Sequence, residues 1–165
     1  MFIRRIAPPD FDVHGDLALA NRWTSLCDGW QIGVMSIDFP HFCTDDEQIS
    51  KVETWSIGTK DHGHGTSVSD NIECHSVRVA ETKPGGVYDW HPAPRKQYVV
   101  TLAGTIEFTF GNGEILLVEP GDIFLAEDLK GKGHKWRIVG DEPWKRLYVH
   151  LEKAREDDAG TAHLT

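Results

Sequence analysis

Two short stretches gather side chains able to do chemistry: Trp90-His91-Pro92-Ala93-Pro94-Arg95-Lys96-Gln97, and Gly131-Lys132-Gly133-His134-Lys135-Trp136. An imidazole titrates near neutrality and serves as general acid, general base or metal ligand, so His91 and His134 are the first candidates. Gln97 offers a neutral carbonyl and amide that orient a carbonyl or hydroxyl group of a substrate. Arg95 is suited to an anionic substrate group, or is a solvated surface arginine. Trp136, two residues beyond His134, shares its face on a regular strand, as a pocket wall or as plain core. His62-Gly63-His64 has the form of a chelating pair but sits among Gly, Asp, Thr and Ser, which reads as a flexible loop spanning 61–67.

Positioning such groups falls to short strands. Thr105 to Phe110 alternates strictly, with Ile106, Phe108 and Phe110 on one face and Thr105, Glu107 and Thr109 on the other. Gly111-Asn112-Gly113 follows, a hairpin signal that predicts a tight primed turn, with the return strand over Glu114 to Val118. After the Pro120-Gly121-Asp122 turn, strands are predicted over Ile123–Ala126, Lys135–Val139 and Arg146–Leu151. In the last of these, Leu147, Val149 and Leu151 alternate with Arg146, Tyr148 and His150, and either set can face inward. Gln31–Ile37, Val52–Ile57, Ser76–Glu81 and Tyr98–Leu102 have similar character, and a short helix is predicted over Asp16–Trp23. Roughly nine short strands imply a sandwich or small barrel. One domain is expected: an extension over 1–50 rich in aromatics and packed on the barrel, a barrel over 51–153, and a flexible tail over 154–165.

Composition narrows the classes of partner. The chain has 165 residues and a formal net charge of -9, with no basic run longer than two, which argues against nucleic-acid and anionic-membrane binding. No apolar run approaches the ~20 residues of a membrane helix, and no signal core follows Met1 to Arg5, so a cytoplasmic protein is expected. Cys27, Cys43 and Cys74 are odd in number and lack a Cys-x-x-Cys pair; buried free thiols are expected rather than disulfides or a thiolate zinc site. Nucleophile-elbow, phosphate-loop and dinucleotide motifs are absent from the sequence.

The region from about residue 76 to 151 resembles the cupin superfamily. Its first motif runs Gly, five residues, His-x-His, three or four residues, Glu, six residues, Gly; here the positions fall on Gly85, His91, Ala93, Gln97 and Gly104. The second motif, Pro-x-Gly-x-x-His, falls on Leu129-Lys130-Gly131-Lys132-Gly133-His134, and the later Asn position is Ile138. The resemblance implies an all-β double-stranded β-helix (jelly-roll barrel) and a homodimer. It also implies convergence of His91, Gln97 and His134 as acid/base groups or as ligands of one divalent transition metal (Fe, Mn, Ni or Zn). Ala93 replaces one imidazole and Gln97 replaces the carboxylate, so such a site is weak, and a metal-free barrel is the alternative. A fourth ligand would have to come from His62, His64 or His75. The expected activity is that of a small-molecule lyase, isomerase or cyclase, with a metal-free binding module and a non-haem metal dioxygenase as the competing readings.

Overall fold

The computed structural model describes Ile3–Arg4 and residues 35–153. Within them the chain forms twelve strands and no helix: β1 (Ile3–Arg4), β2 (Met35–Thr44), β3 (Ser50–Gly63), β4 (Thr66–Ser69), β5 (Ser76–Thr82), β6 (Val87–His91), β7 (Gln97–Ala103), β8 (Thr105–Thr109), β9 (Ile115–Val118), β10 (Ile123–Ala126), β11 (His134–Val139) and β12 (Trp144–His150). They build two sheets, of order β1-β9-β8-β11-β6 and β4-β3-β2-β10-β7-β12-β5. The fold is the expected all-β jelly roll. The predicted Asp16–Trp23 helix, residues 31–34 of the first predicted strand, Cys27 and the 154–165 tail lie outside the described residues.

Alternation explains the core. Ile106, Phe108 and Phe110 of the five-stranded side are buried, as are Phe42, Val99 and Phe124 of the seven-stranded side. Phe42 stacks on Phe124 at 4.4 Å between ring centroids and meets Phe108 and Phe110 edge-on at 5.0 and 4.7 Å. Each such ring contributes about 1.5–3 kcal/mol by leaving water, so this aromatic knot is a large part of what clamps the sheets together. Residues 35–44, assigned to the extension from sequence, run as β2 inside the larger sheet, antiparallel to β3 and parallel to β10.

Several local expectations are corrected. The segment 61–67 is not a free loop: β3 continues to Gly63 and pairs with β4, and the reversal is made by Gly63, His64 and Gly65, all at positive φ. The β8–β9 turn is not a primed two-residue turn. Phe110 N–H donates to the Glu114 carbonyl at 3.0 Å and Gly113 N–H to the Phe110 carbonyl at 2.9 Å, with only Gly113 of the three turn residues at positive φ. That is a three-residue connection closed by a left-handed glycine. Strand β6 carries no clean alternation, and the reason is a register shift against β11 between His134 and Trp136, which lets both Tyr88 and His91 meet β11.

Gly133 governs the approach of β6 to β11. It is buried, has φ +69, and a Cβ there would overlap the backbone carbonyl of His91. Its own carbonyl accepts from the buried Ser50 hydroxyl at 2.6 Å, and that hydroxyl also accepts from Gly111 N–H at 2.8 Å. Gly113 has a similar φ but open space around it. Gly133→Ala is therefore expected to lower stability by more than about 2 kcal/mol, and Gly113→Ala by about 1 kcal/mol, in chemical denaturation. Equal losses would mean that φ alone, not the clash with His91, sets the requirement.

Candidate active site between the sheets

His91 ends β6 and His134 begins β11, and the two residues are cross-strand partners. Their ring centroids are 4.7 Å apart at 61°. The His91 Nδ1–H donates to the Asp89 carbonyl at 2.7 Å, leaving Nε2 with a lone pair. The His134 Nδ1–H donates to Asp128 Oδ2 at 2.6 Å, and Asp128 is wholly buried with Oδ1 unpartnered. A carboxylate on Nδ1 selects the tautomer with a basic Nε2 and stabilises the imidazolium that forms when Nε2 takes a proton. Burial first, and then the neighbouring His134 ring, push the His91 imidazole down to about 4. Near neutrality His91 is therefore neutral, with its Nε2 unprotonated.

Aromatic rings surround the pair. Tyr88 meets His91 edge-on at 4.1 Å, Phe108 and Phe42 each meet His134 at 5.5 Å, and Trp136 lies 5.1 Å from Trp144. Trp136 is inward, on the His134 side of β11. On the facing sheet Arg146, Tyr148 and His150 are the inward set of β12, as their pairing with Thr101, Val99 and Gln97 requires. Arg146 is 8% exposed; its Nε–H donates to the Tyr148 hydroxyl at 2.6 Å and an Nη–H to Thr82 Oγ1 at 2.9 Å, while its guanidinium carbon lies 3.8 Å from the Trp144 ring centre. All of these partners are neutral.

The other candidates separate. Gln97 is buried, but its cross-strand neighbours are His150 and Ala126, which puts it on the wall opposite His91. Arg95 is half-buried in the connection between β6 and β7, with a buried Nε that has no partner, and its charge acts on His150. His62, His64 and His75 are exposed, the first two around a hairpin tip. Cys74 is exposed rather than buried, and Cys43 is half-buried; both are free thiols. Asp128 and Arg146 escaped the sequence reading. Asp128 is six residues before His134, beyond any strand period, and Arg146 belonged to the alternation left open.

The lumen donors do not fit a transition-metal centre of the cupin kind. Ala93 is 1% exposed where an imidazole would be needed, and Gln97 supplies no charge where a carboxylate would be needed. Among the described residues the group of three His, Cys, Asp or Glu donors that does converge is His41, Cys43 and Glu53. These lie on the other side of β2, since Phe42 points inward.

A profile described as "Cupin domain" matches residues 78–150. This stretch is a cupin domain. The chain is 32% identical over 77 residues to the cupin-domain-containing oxidoreductase srdB of Neurospora crassa, covering 46% of this chain and 38% of that protein. It is 30% identical over 77 residues to phomopsin biosynthesis cluster protein C' of Diaporthe leptostromiformis, covering 46% and 39%. It therefore spans about two-fifths of the length of these relatives. Among solved structures, the Schizosaccharomyces pombe Cnp3 cupin domain matches with a TM-score of 0.37 and 12% identity, over 70% of this chain and 83% of that one. Among the described residues of this cupin no helix is long and apolar enough to cross a membrane.

The low value for His91 makes stability pH-dependent. Free imidazole titrates near about 6.5, so between that value and about 4 the unfolded chain binds more protons than the folded one at this position. The His91 contribution is complete above the upper value and is lost as pH falls through the window. His91→Gln is expected to flatten this part of the stability–pH curve relative to wild type, measured by denaturation at stepped pH. An unchanged slope would place the His91 imidazole in ordinary solvent.

Proposed function

We propose that this cupin is a small-molecule enzyme of lyase, isomerase or cyclase type that moves a proton with His134. The observation that carries the reading is the buried Asp128–His134 pair facing His91 across 4.7 Å. His134 Nε2 takes a proton from the substrate, Asp128 stabilises the imidazolium, and the same Nε2 returns the proton at another atom. His91, held neutral, accepts a hydrogen bond from a substrate hydroxyl or amine through Nε2 and fixes its orientation. Gln97, on the far wall, orients a carbonyl or hydroxyl. Trp136 and Tyr88 supply an apolar wall, and Arg146, a buried cation with neutral partners, favours a substrate bearing an anionic group. Arg95, with its unpartnered Nε, is a second point for such a group. No step is routed through a lumen metal, because the donor set falls short of one.

A homodimer in the cytoplasm belongs to the same proposal. Edge strand β5 exposes Val77 and Val79, at 56% and 70%, and supports pairing of two copies along this edge. Sedimentation of wild type is expected to give a dimer and of Val79→Lys a monomer; a wild-type monomer overturns this part.

The catalytic reading is tested with small aliphatic and aromatic carboxylates. Compounds that raise the melting temperature of wild type, and not of Arg146→Met, are incubated with protein in deuterated water and followed by NMR. Proton exchange or conversion is expected, lowered by about 10²–10⁴-fold in His134→Gln, with Asp128→Asn also reducing the rate while leaving binding near wild type. Binding without exchange or conversion would leave a cupin that holds a ligand and does no chemistry on it, the role that the small buried Ala93 also supports.

A further inference from the structure

Strand β2 carries a second group of donors on its outer side. His41 and Cys43 are two residues apart and so share a face, and β3 places Glu53 directly opposite His41 and Lys51 opposite Cys43. One donor atom from each of His41, Cys43 and Glu53 lies within 4.8 Å of the others. An imidazole, a thiol and a carboxylate at this spacing are a mixed nitrogen, sulfur and oxygen set. Such a set suits a borderline divalent ion of the zinc or cobalt(II) kind better than magnesium or calcium, which want oxygen throughout.

Further contacts shape the same group. His41 Nε2–H donates to Glu127 Oε2 at 3.0 Å, and the other Glu127 oxygen accepts from Lys96 Nζ at 2.8 Å. Nδ1 is then the nitrogen left for a cation, and Glu127 orients the ring from behind, as carboxylates do for metal-bound histidines. The Trp55 ring lies 5.2 Å from His41 and screens one side. Lys51 Nζ sits 2.6 Å from Glu53 Oε1, so a positive charge already occupies the carboxylate that a metal would use. Burial, and then Glu53, push the Cys43 thiol up to about 11, which makes it a protonated thiol rather than a ready nucleophile.

We infer that His41, Cys43 and Glu53 form a divalent transition-metal site on the outer face of the larger sheet, separate from the lumen. The ion bridges β2 and β3, and through Glu127 it engages the residue that follows β10. In binding, the thiol proton leaves to solvent as the sulfur–metal bond forms, and Lys51 is released from Glu53.

Cobalt(II) added to the metal-free full chain is the probe, read by absorption. One equivalent is expected to produce the near-ultraviolet band of a thiolate bound to cobalt together with the visible bands of a low-coordinate ion. The thiolate band is expected to vanish in Cys43→Ser, and affinity to fall at least about tenfold in Glu53→Gln and by about 10–100-fold in Glu127→Gln. Lys51→Met, which removes the competing cation, is expected to bind more tightly. His134→Gln is expected to bind as wild type does. Glu53 and Lys51 are solvent-accessible, so their variants test the site even if Cys43→Ser fails to fold. Absence of the thiolate band in wild type, its survival in Cys43→Ser, its loss in His134→Gln, or weaker binding by Lys51→Met would each overturn the assignment.

Discussion

At Gly133 the backbone that leads into β11 runs against the carbonyl of His91, where no side chain has room. The two histidines face each other because of this approach: the His91 end of β6 meets the His134 end of β11 only if residue 133 is a glycine in a left-handed conformation. Ser50 fastens the same point from the opposite sheet by donating to the Gly133 carbonyl, so the connection is fixed from two sides. The aromatic knot of Phe42, Phe108, Phe110 and Phe124 lies directly beneath, and the His134 ring rests on three of its members. Packing energy that holds the sheets together therefore also fixes the imidazole, which limits the reorganisation left to substrate binding.

Electrostatics then differentiates two chemically identical rings. Both imidazoles have Nδ1 donating and Nε2 free, but one donates to a backbone carbonyl and the other to a buried carboxylate. A backbone carbonyl fixes the orientation of its ring, whereas a carboxylate also stabilises the imidazolium formed when Nε2 takes a proton. Burial, and then the neighbouring His134 ring, keep His91 neutral. The Asp128 contact is what distinguishes His134 from His91. Arg146 adds a buried cation on the facing wall, and its neutral partners leave its charge to whatever enters.

Much of this was legible from the sequence, in proportion to how local each signal is. The alternation of Ile106, Phe108 and Phe110, the turn residues between strands and the spacing from Gly85 to Gly104 are patterns within one or two elements, and they led to the right fold. His91 and His134 were legible as a pair because the cupin motifs place them. Other features depend on contacts between distant segments. Asp128 reaches His134 around a turn, and which half of β12 faces inward is settled by its pairing with β7 and β5 rather than by its own residues. Gln97 sits at a motif position, and its place on the facing sheet beside His150 and Ala126 follows from strand pairing rather than from spacing. The hairpin at 61–67 was misread because glycine and polar residues mark both loops and the tips of exposed strands.

Strand β2 shows how one short segment can serve two chemistries. Successive side chains point to opposite faces, so Phe42 enters the core beside His134 while His41 and Cys43 stand on the outside. On the inner side Ala93 and Gln97 stand where a cupin centre would need two further ligands. On the outer side imidazole, thiol and carboxylate converge without any demand on the lumen. A strand can exchange residues on one face while the other continues to pack, because the hydrogen-bond ladder that holds it is indifferent to both. The residues that face the lumen and those that face outward can thus vary independently. The metal content of this chain therefore cannot be equated with occupancy of its lumen, and the donor that distinguishes the two locations is the sulfur of Cys43.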